Sequence, residues 1–144
     1  MKHVFIALLM LFMTALTTFT SCSKEENESY EPIYSPIGNT YETGSLSLYF
    51  GSADTVSFQC LDPWLENIKG KAAYRFNGAL LYIKNPYGYG VRPNPEEVNN
   101  PYFFNFWGIV KKDRIDNVSY LFIGPNERQQ FMSGNCTFYL IKDK

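Results

Sequence analysis

The chain has 144 residues, one domain's worth, with 13 lysines and arginines against 14 aspartates and glutamates. A net charge of −1 excludes a basic field for nucleic acid or for an anionic membrane surface. Aromatic residues at 17% and charged residues at 19%, with Gly, Pro and Asn punctuating the apolar runs, exclude a disordered chain and suit a globular all-β protein. The first predicted element stands outside that fold. Lys2 and His3 precede an almost unbroken apolar run, Val4 to Leu16, which ends in Thr17-Thr18-Phe19-Thr20-Ser21. A basic start, a short apolar stretch and small residues before a cut site describe a secretory signal over residues 1–21. The run is short for a membrane span, which needs about 20 apolar residues.

Cys22 follows at once. Phe19-Thr20-Ser21-Cys22 resembles the bacterial lipobox, with small residues at the two positions before the cysteine. The resemblance implies a lipoprotein, in which the Cys22 thiol becomes a thioether to diacylglycerol and the new amino terminus is acylated. Two or three acyl chains, at about 0.8 kcal/mol per buried methylene, hold a protein on a membrane almost permanently. Ser23-Lys24-Glu25-Glu26 looks like the lysine–acid–acid signal of surface-exported lipoproteins of the Bacteroidota. That likeness implies the outer membrane, with the protein facing the exterior. Residues 22–36 read as a polar tether and residues 37–144 as a single folded domain.

Within that domain, Leu46, Leu48 and Phe50 alternate with Ser45, Ser47 and Tyr49, which predicts a half-buried strand over Thr40–Phe50. Gly51-Ser52-Ala53-Asp54 turns the chain into a second strand, Thr55–Leu61. Asp62 can cap orphan amides, Pro63 suits a first helical position and Gly70 can end the turn. A short helix is therefore expected over Asp62–Gly70, with Trp64, Leu65 and Ile68 plugging one end of the core. Lys71–Phe76 and Ala79–Lys84 flank Asn77-Gly78, a strong hairpin signal. The fifth strand, Tyr102–Lys111, is apolar on both sides: Phe104, Phe106 and Val110 against Phe103, Trp107 and Ile109. Val118–Ile123 and Asn135–Lys142 complete seven readable strands, with room for an eighth.

Short connections make sequential antiparallel hairpins, and seven or eight strands must hide their edges. The expectation is an all-β antiparallel up-and-down barrel with one short helix; a β-sandwich is the alternative. Gly38-Asn39-Thr40-Tyr41 with Leu48–Val56, and later Tyr74–Ile83, look like the opening and central hairpin of lipocalin-like domains in small Bacteroidota lipoproteins. That resemblance implies a lipocalin-like barrel.

Cysteine and histidine usage narrows the chemistry. An exported chain permits a disulfide, and Cys60 and Cys136 both sit on the apolar side of alternating strands. Bridged, they would close a long loop worth about 4 kcal/mol; unbridged, they are two small buried hydrophobes. His3 is the only histidine and leaves with the signal. The mature chain thus lacks an imidazole for acid–base catalysis, a Ser-His-Asp or Cys-His triad, or metal ligation. Glu96-Glu97 and Asp113 with Asp116 are the close acid pairs, and such neighbours on loops point apart rather than across a cleft. Neither an enzyme nor a cofactor or metal is expected.

The longest connection, Asn85–Pro101, is where contact chemistry concentrates. Tyr87, Tyr89 and Arg92 lie on it, and Tyr102, Phe103 and Trp107 follow as an extension of the same surface. Tyrosine offers a flat apolar face with a hydroxyl edge, suited to a sugar ring or a protein surface. Folded back, Tyr87 and Tyr89 would instead cover a barrel rim. Asp54-Thr55-Val56 resembles the O-glycan acceptor of exported Bacteroidota proteins, which implies Thr55 as a modification site. Two functions follow. One is a non-enzymatic, membrane-anchored binding module for a glycan or small apolar ligand, held in the barrel or at its aromatic rim. The other is a structural accessory subunit or inhibitor docking an envelope protein through the loop. A ligand-sized interior would favour the first; a filled interior with Tyr87 and Tyr89 outward would favour the second.

Overall fold

The computed structural model describes residues 32–63, 65, 68–125 and 129–142. Eight antiparallel strands close into a barrel in sequence order, with β8 returning to β1. They are β1 (Thr40–Glu42), β2 (Leu46–Tyr49), β3 (Thr55–Cys60), β4 (Lys69–Asn77), β5 (Leu80–Ile83), β6 (Tyr102–Val110), β7 (Arg114–Ile123) and β8 (Gln130–Ile141). Closure leaves no free edge, which is how an up-and-down sheet avoids edge-to-edge pairing. The β-sandwich alternative is thereby set aside.

The eighth strand comes from splitting the first. Thr43–Ser45 bends the expected Thr40–Phe50 strand back on itself, and the Thr43 amide donates to the Leu46 carbonyl at 2.9 Å. At the β4–β5 hairpin the loop is Gly78-Ala79 rather than Asn77-Gly78, since Asn77 pairs with Leu80. Gly78 has φ +61°, as the first loop position of a two-residue type II′ hairpin requires.

The short helix expected over Asp62–Gly70 is corrected by strand pairing. Gln59 pairs with Lys69 and Phe58 with Gly70, while the Cys60 amide donates to the Ile68 carbonyl at 2.9 Å. Those ladder bonds claim the residues a helix would need. Two successive four-residue turns remain, Leu65 N–H to the Asp62 carbonyl (2.8 Å) and Ile68 N–H to the Leu65 carbonyl (2.9 Å). Ile68 is buried and Leu65 packs on the core, so these two residues do close one end of it. Trp64 lies outside the described residues.

The barrel interior is filled. Tyr41, Leu48, Phe50, Val56, Phe58, Tyr74, Leu81, Phe103, Phe106, Ile115, Phe122 and Phe138 are all at most 2% exposed. Phe103 stands at its centre, edge-on to Phe58 (5.2 Å), Phe106 (5.4 Å) and Phe122 (5.2 Å). Each such ring pair adds about 0.5–1.5 kcal/mol beyond burial. Tyr74 satisfies its buried end by donating to the Ser52 carbonyl at 2.7 Å.

Irregularities cluster on β6 to β8. Register shifts fall between Phe103 and Asn105, between Trp107 and Ile109, and on β7 between Ile115 and Tyr120. Asn117 (φ 51°) and Asn135 (φ 59°) adopt the left-handed conformation there. Gly108 sits opposite, where a Cβ would stand 2.8 Å from the Ile115 and Val118 methyls. Bulges of this kind sharpen the coil that closes a barrel. They also let β7 begin at Arg114 and β8 at Gln130, earlier than the expected Val118 and Asn135.

Candidate functional site

The long loop is built by one side chain. Asn85 Nδ2 donates to the Val91 carbonyl (2.9 Å), and Asn85 Oδ1 accepts from the Tyr87 amide (2.9 Å). The Gly88 amide donates to the Asn85 carbonyl and the Val91 amide to the Gly88 carbonyl, each at 3.2 Å. These bonds fold residues 85–91 into a compact double turn with Tyr89 at its tip. Further on, Asn94 Oδ1 accepts from the Glu96 amide at 3.4 Å and caps a single 3-10 turn, Pro95–Glu97. That turn delivers Val98, fully buried, onto a second apolar cluster with Tyr102, Ile123, Phe104 and Leu121. The outer apolar side of β6 is therefore covered at one end by its own preceding loop.

The predicted contact residues separate into three groups. Phe103 is a correction: it points into the barrel and is wholly buried. The bulge at Phe103–Asn105 breaks the alternation, so Phe103, Phe106 and Val110 are buried while Trp107 is exposed. Tyr102 is likewise buried, beneath the loop, at 3% exposure. Tyr87 leans on it edge-to-face with ring centroids 5.0 Å apart and stays partly exposed. Tyr89 is fully exposed, Arg92 is exposed on the loop, and Trp107 is 46% exposed on the outer wall. Tyr87 thus folds back, as one reading had it, whereas Tyr89 projects.

What the sequence did not single out is Tyr82. It pairs directly with Trp107 across β5 and β6, between the inward Leu81 and Ile83. Paired Cβ atoms lie about 4.5–5.5 Å apart, so the two rings share one face. Leu80 and Ile109 are the next pair along the same face. Beside it, a cleft of about 320 Å³ is lined by Tyr82, Lys84, Asn85, Tyr89, Phe104 and Asn105, among others. Rings, amides and an ammonium therefore converge where the loop tip meets the wall. Register from the Gly78 hairpin was the signal that could have located Tyr82.

A second cleft, of about 460 Å³, lies on the other flank of the loop, between Lys71–Ala73, Lys84–Tyr87 and Asn100–Tyr102. A third, of about 390 Å³, is lined by Ser47, Tyr49, Ser57, Gln59, Lys69 and Lys71, with Phe58 and Gly70 at its floor.

Cys60 and Cys136 carry free thiols, so the disulfide weighed from the sequence is not made. Their strands, β3 and β8, are separated by β1 and β2, and no cross-strand pairing joins the two sulfurs. Burial pushes the Tyr120 phenol up, opposed by its 3.3 Å hydrogen bond with the Ser45 hydroxyl, while both cysteines push it further up. At Thr55, the hydroxyl donates to Asp54 Oδ1 at 3.0 Å, and the Ser52 hydroxyl donates to the same oxygen at 2.9 Å. Those hydroxyls hold the Asp54 carboxyl below its ordinary range. Cys22 lies outside the described residues.

Among the described residues, no group of three His, Cys, Asp or Glu side chains is placed to hold a metal ion. No helix among them is long and apolar enough to cross a membrane. Compared with family models, curated proteins and solved structures, the chain shows no match. Its function must be argued from the chemistry of the outer wall.

Proposed function

We propose that this chain is a lipid-anchored, non-enzymatic binding module of the cell envelope, held by Cys22 at the outer membrane and facing the exterior. Its contact surface is the outer aromatic face of β5 and β6 with the loop tip, and its ligand is a glycan. The observation that carries this reading is the outward pairing of exposed Trp107 with half-buried Tyr82, beside exposed Tyr89, over a packed interior. Flat rings flanked by amides match the alternating apolar faces and hydroxyl edges of a sugar. The packed interior withdraws support from a small apolar ligand held inside the barrel.

Trp107 sets the expected size of the effect. A tryptophan side chain presents about 250 Å², so 46% exposure leaves about 115 Å² to cover. A sugar ring stacked on one side would cover roughly half of that, worth about 1.4 kcal/mol or tenfold in affinity. A glycan array on the purified chain, followed by titration of any hit, tests it. Trp107→Ala and Tyr89→Ala should each weaken the hit, Trp107→Ala by about tenfold. An array without hits, or a hit indifferent to both changes, overturns it. A second reading, docking of an envelope protein, is supported by the filled interior and by the outward Tyr89. A photo-crosslinking residue at position 89 that captures one defined envelope protein in the host, with the array silent, would favour that reading.

A further inference from the structure

The outer face of β4 carries Lys69, Lys71, Ala73 and Arg75 at alternate positions, all exposed. The Lys84 amide donates to the Ala73 carbonyl at 2.8 Å, so Lys84 stands beside the one gap in that row. Strand rise is about 3.3 Å per residue, which spaces Lys69 from Lys71 by about 7 Å and Lys71 from Arg75 by about 13 Å, with Lys84 beside the gap between them. Among the described residues no carboxylate pairs with any of the four. The chain's net charge is −1, so this row is a local concentration rather than a general basicity.

Two clefts meet on the row. Lys71 lines both the one holding Tyr49, Ser57 and Gln59 and the one beside Asn85 and Tyr87. Hydroxyls and an amide thus flank the cations on one side. On the other side Arg75 pairs with Tyr82, and Tyr82 in turn with Trp107, so the row abuts the aromatic face. We infer that the outer wall of β2 to β5 binds an acidic glycan, with its carboxylates or sulfates along Lys69, Lys71, Lys84 and Arg75. The inference rests on the glycan reading above and names the class of glycan. Lysine ammoniums are mobile point charges, suited to separated carboxylates or sulfates along a flexible polymer. Neighbouring charges in the row lie about one screening length apart, about 8 Å at physiological salt, so a polymer laid along it feels several of them together. Neighbouring serine and glutamine side chains offer sugar hydroxyls partners that a bare phosphate chain would not use.

The test compares matched polymers on the full-length chain in detergent: polygalacturonate against its methyl-esterified form, and dextran sulfate against dextran. At least one acidic polymer should bind about tenfold tighter than its neutral counterpart, and about 0.5 M salt should remove the difference. The triple variant Lys69→Gln, Lys71→Gln and Lys84→Gln should lose the preference while keeping the wild-type circular dichroism spectrum. No acidic preference in either pair, or one that survives in the triple variant, overturns the inference. Retention on double-stranded DNA as strong as on the acidic polymers also overturns it, because the row would then serve anions in general. Neutral glycan binding that needs Trp107 without acidic preference removes this inference alone. Loss of all glycan binding removes both.

Discussion

Gly70→Ala is a small change with a large expected cost. A Cβ at position 70 would stand 2.6 Å from Phe58 Cζ and 3.1 Å from Cε2. Carbon atoms pack at about 3.5–4.0 Å, so the ring would have to retreat by about 1 Å. It has no room to do so, because Phe58 is 2% exposed and pinned edge-on by Phe103 (5.2 Å) and Phe122 (5.5 Å). Overpacking of this kind costs about 1–3 kcal/mol. Alanine recovers about 0.5–1 kcal/mol by restricting the unfolded chain. A net loss of up to about 2.5 kcal/mol remains, or up to roughly 11 °C in melting temperature for a domain of this size. Thermal unfolding of the purified chain, followed by circular dichroism, reads it directly. Shortening the ring should release the clash, so Gly70→Ala introduced into a Phe58→Leu background should cost close to nothing. An equal loss in both backgrounds would refute the close packing, and with it the filled interior that moves the ligand to the outer wall.

Three other expectations follow from named contacts. The Thr137 hydroxyl, donating at 3.0 Å, holds the Asp116 carboxyl below its ordinary range against some desolvation, with help from Arg114. A lowered folded-state value means the folded protein binds that proton more weakly. Its stabilisation is therefore complete above the unfolded value of about 4 and is lost as pH falls through the folded one. Thr137→Val should raise the Asp116 midpoint in a carboxyl NMR titration; an unmoved midpoint refutes the assignment. Tyr87→Ala removes the 5.0 Å ring contact with Tyr102, worth about 0.5–1.5 kcal/mol. Amide exchange across residues 88–91 should then quicken by up to about tenfold with the barrel's melting temperature nearly unchanged, and unchanged exchange would refute the contact's role. Cys22→Ala should abolish metabolic palmitate labelling of the chain in its host; equal labelling of both forms removes the anchor.

Alternation made much of this fold legible. Val56, Phe58 and Cys60 read as one buried face of a strand and are one. The closed, up-and-down order also followed from short connections with turn residues, with seven of the eight strands readable. What escaped was decided by partners rather than by local pattern. Asp62-Pro63 is a sound helix start in isolation, but ladder bonds from β3 reach Ile68, Lys69 and Gly70 first. Thr43–Ser45 reads as part of a strand until β1 and β2 are seen to pair. At the site, Tyr89 was legible because it lies on the longest connection, Asn85–Pro101, where contact chemistry concentrates. Phe103 was misplaced because one extra residue in β6 shifts every later side chain to the other face, and a sequence apolar on both sides cannot reveal where that residue falls. Tyr82 was overlooked since an aromatic among leucines and isoleucines looks like core until its cross-strand neighbour is known.

The seam between β1 and β8 carries a consequence for how the molecule is made. Thr40 meets Ile141 and Glu42 meets Tyr139, so three residues near the start of the folded region wait for the last strand to arrive. Contacts spanning that much sequence are slow to form, because a long loop must be closed before any bond rewards it. Until then the nascent polypeptide is an open ribbon with two adhesive borders, prone to sticking to its own kind. Loss of Tyr139–Ile141 would yield not a slightly shorter barrel but an unsealed one, fit for chaperones and proteases.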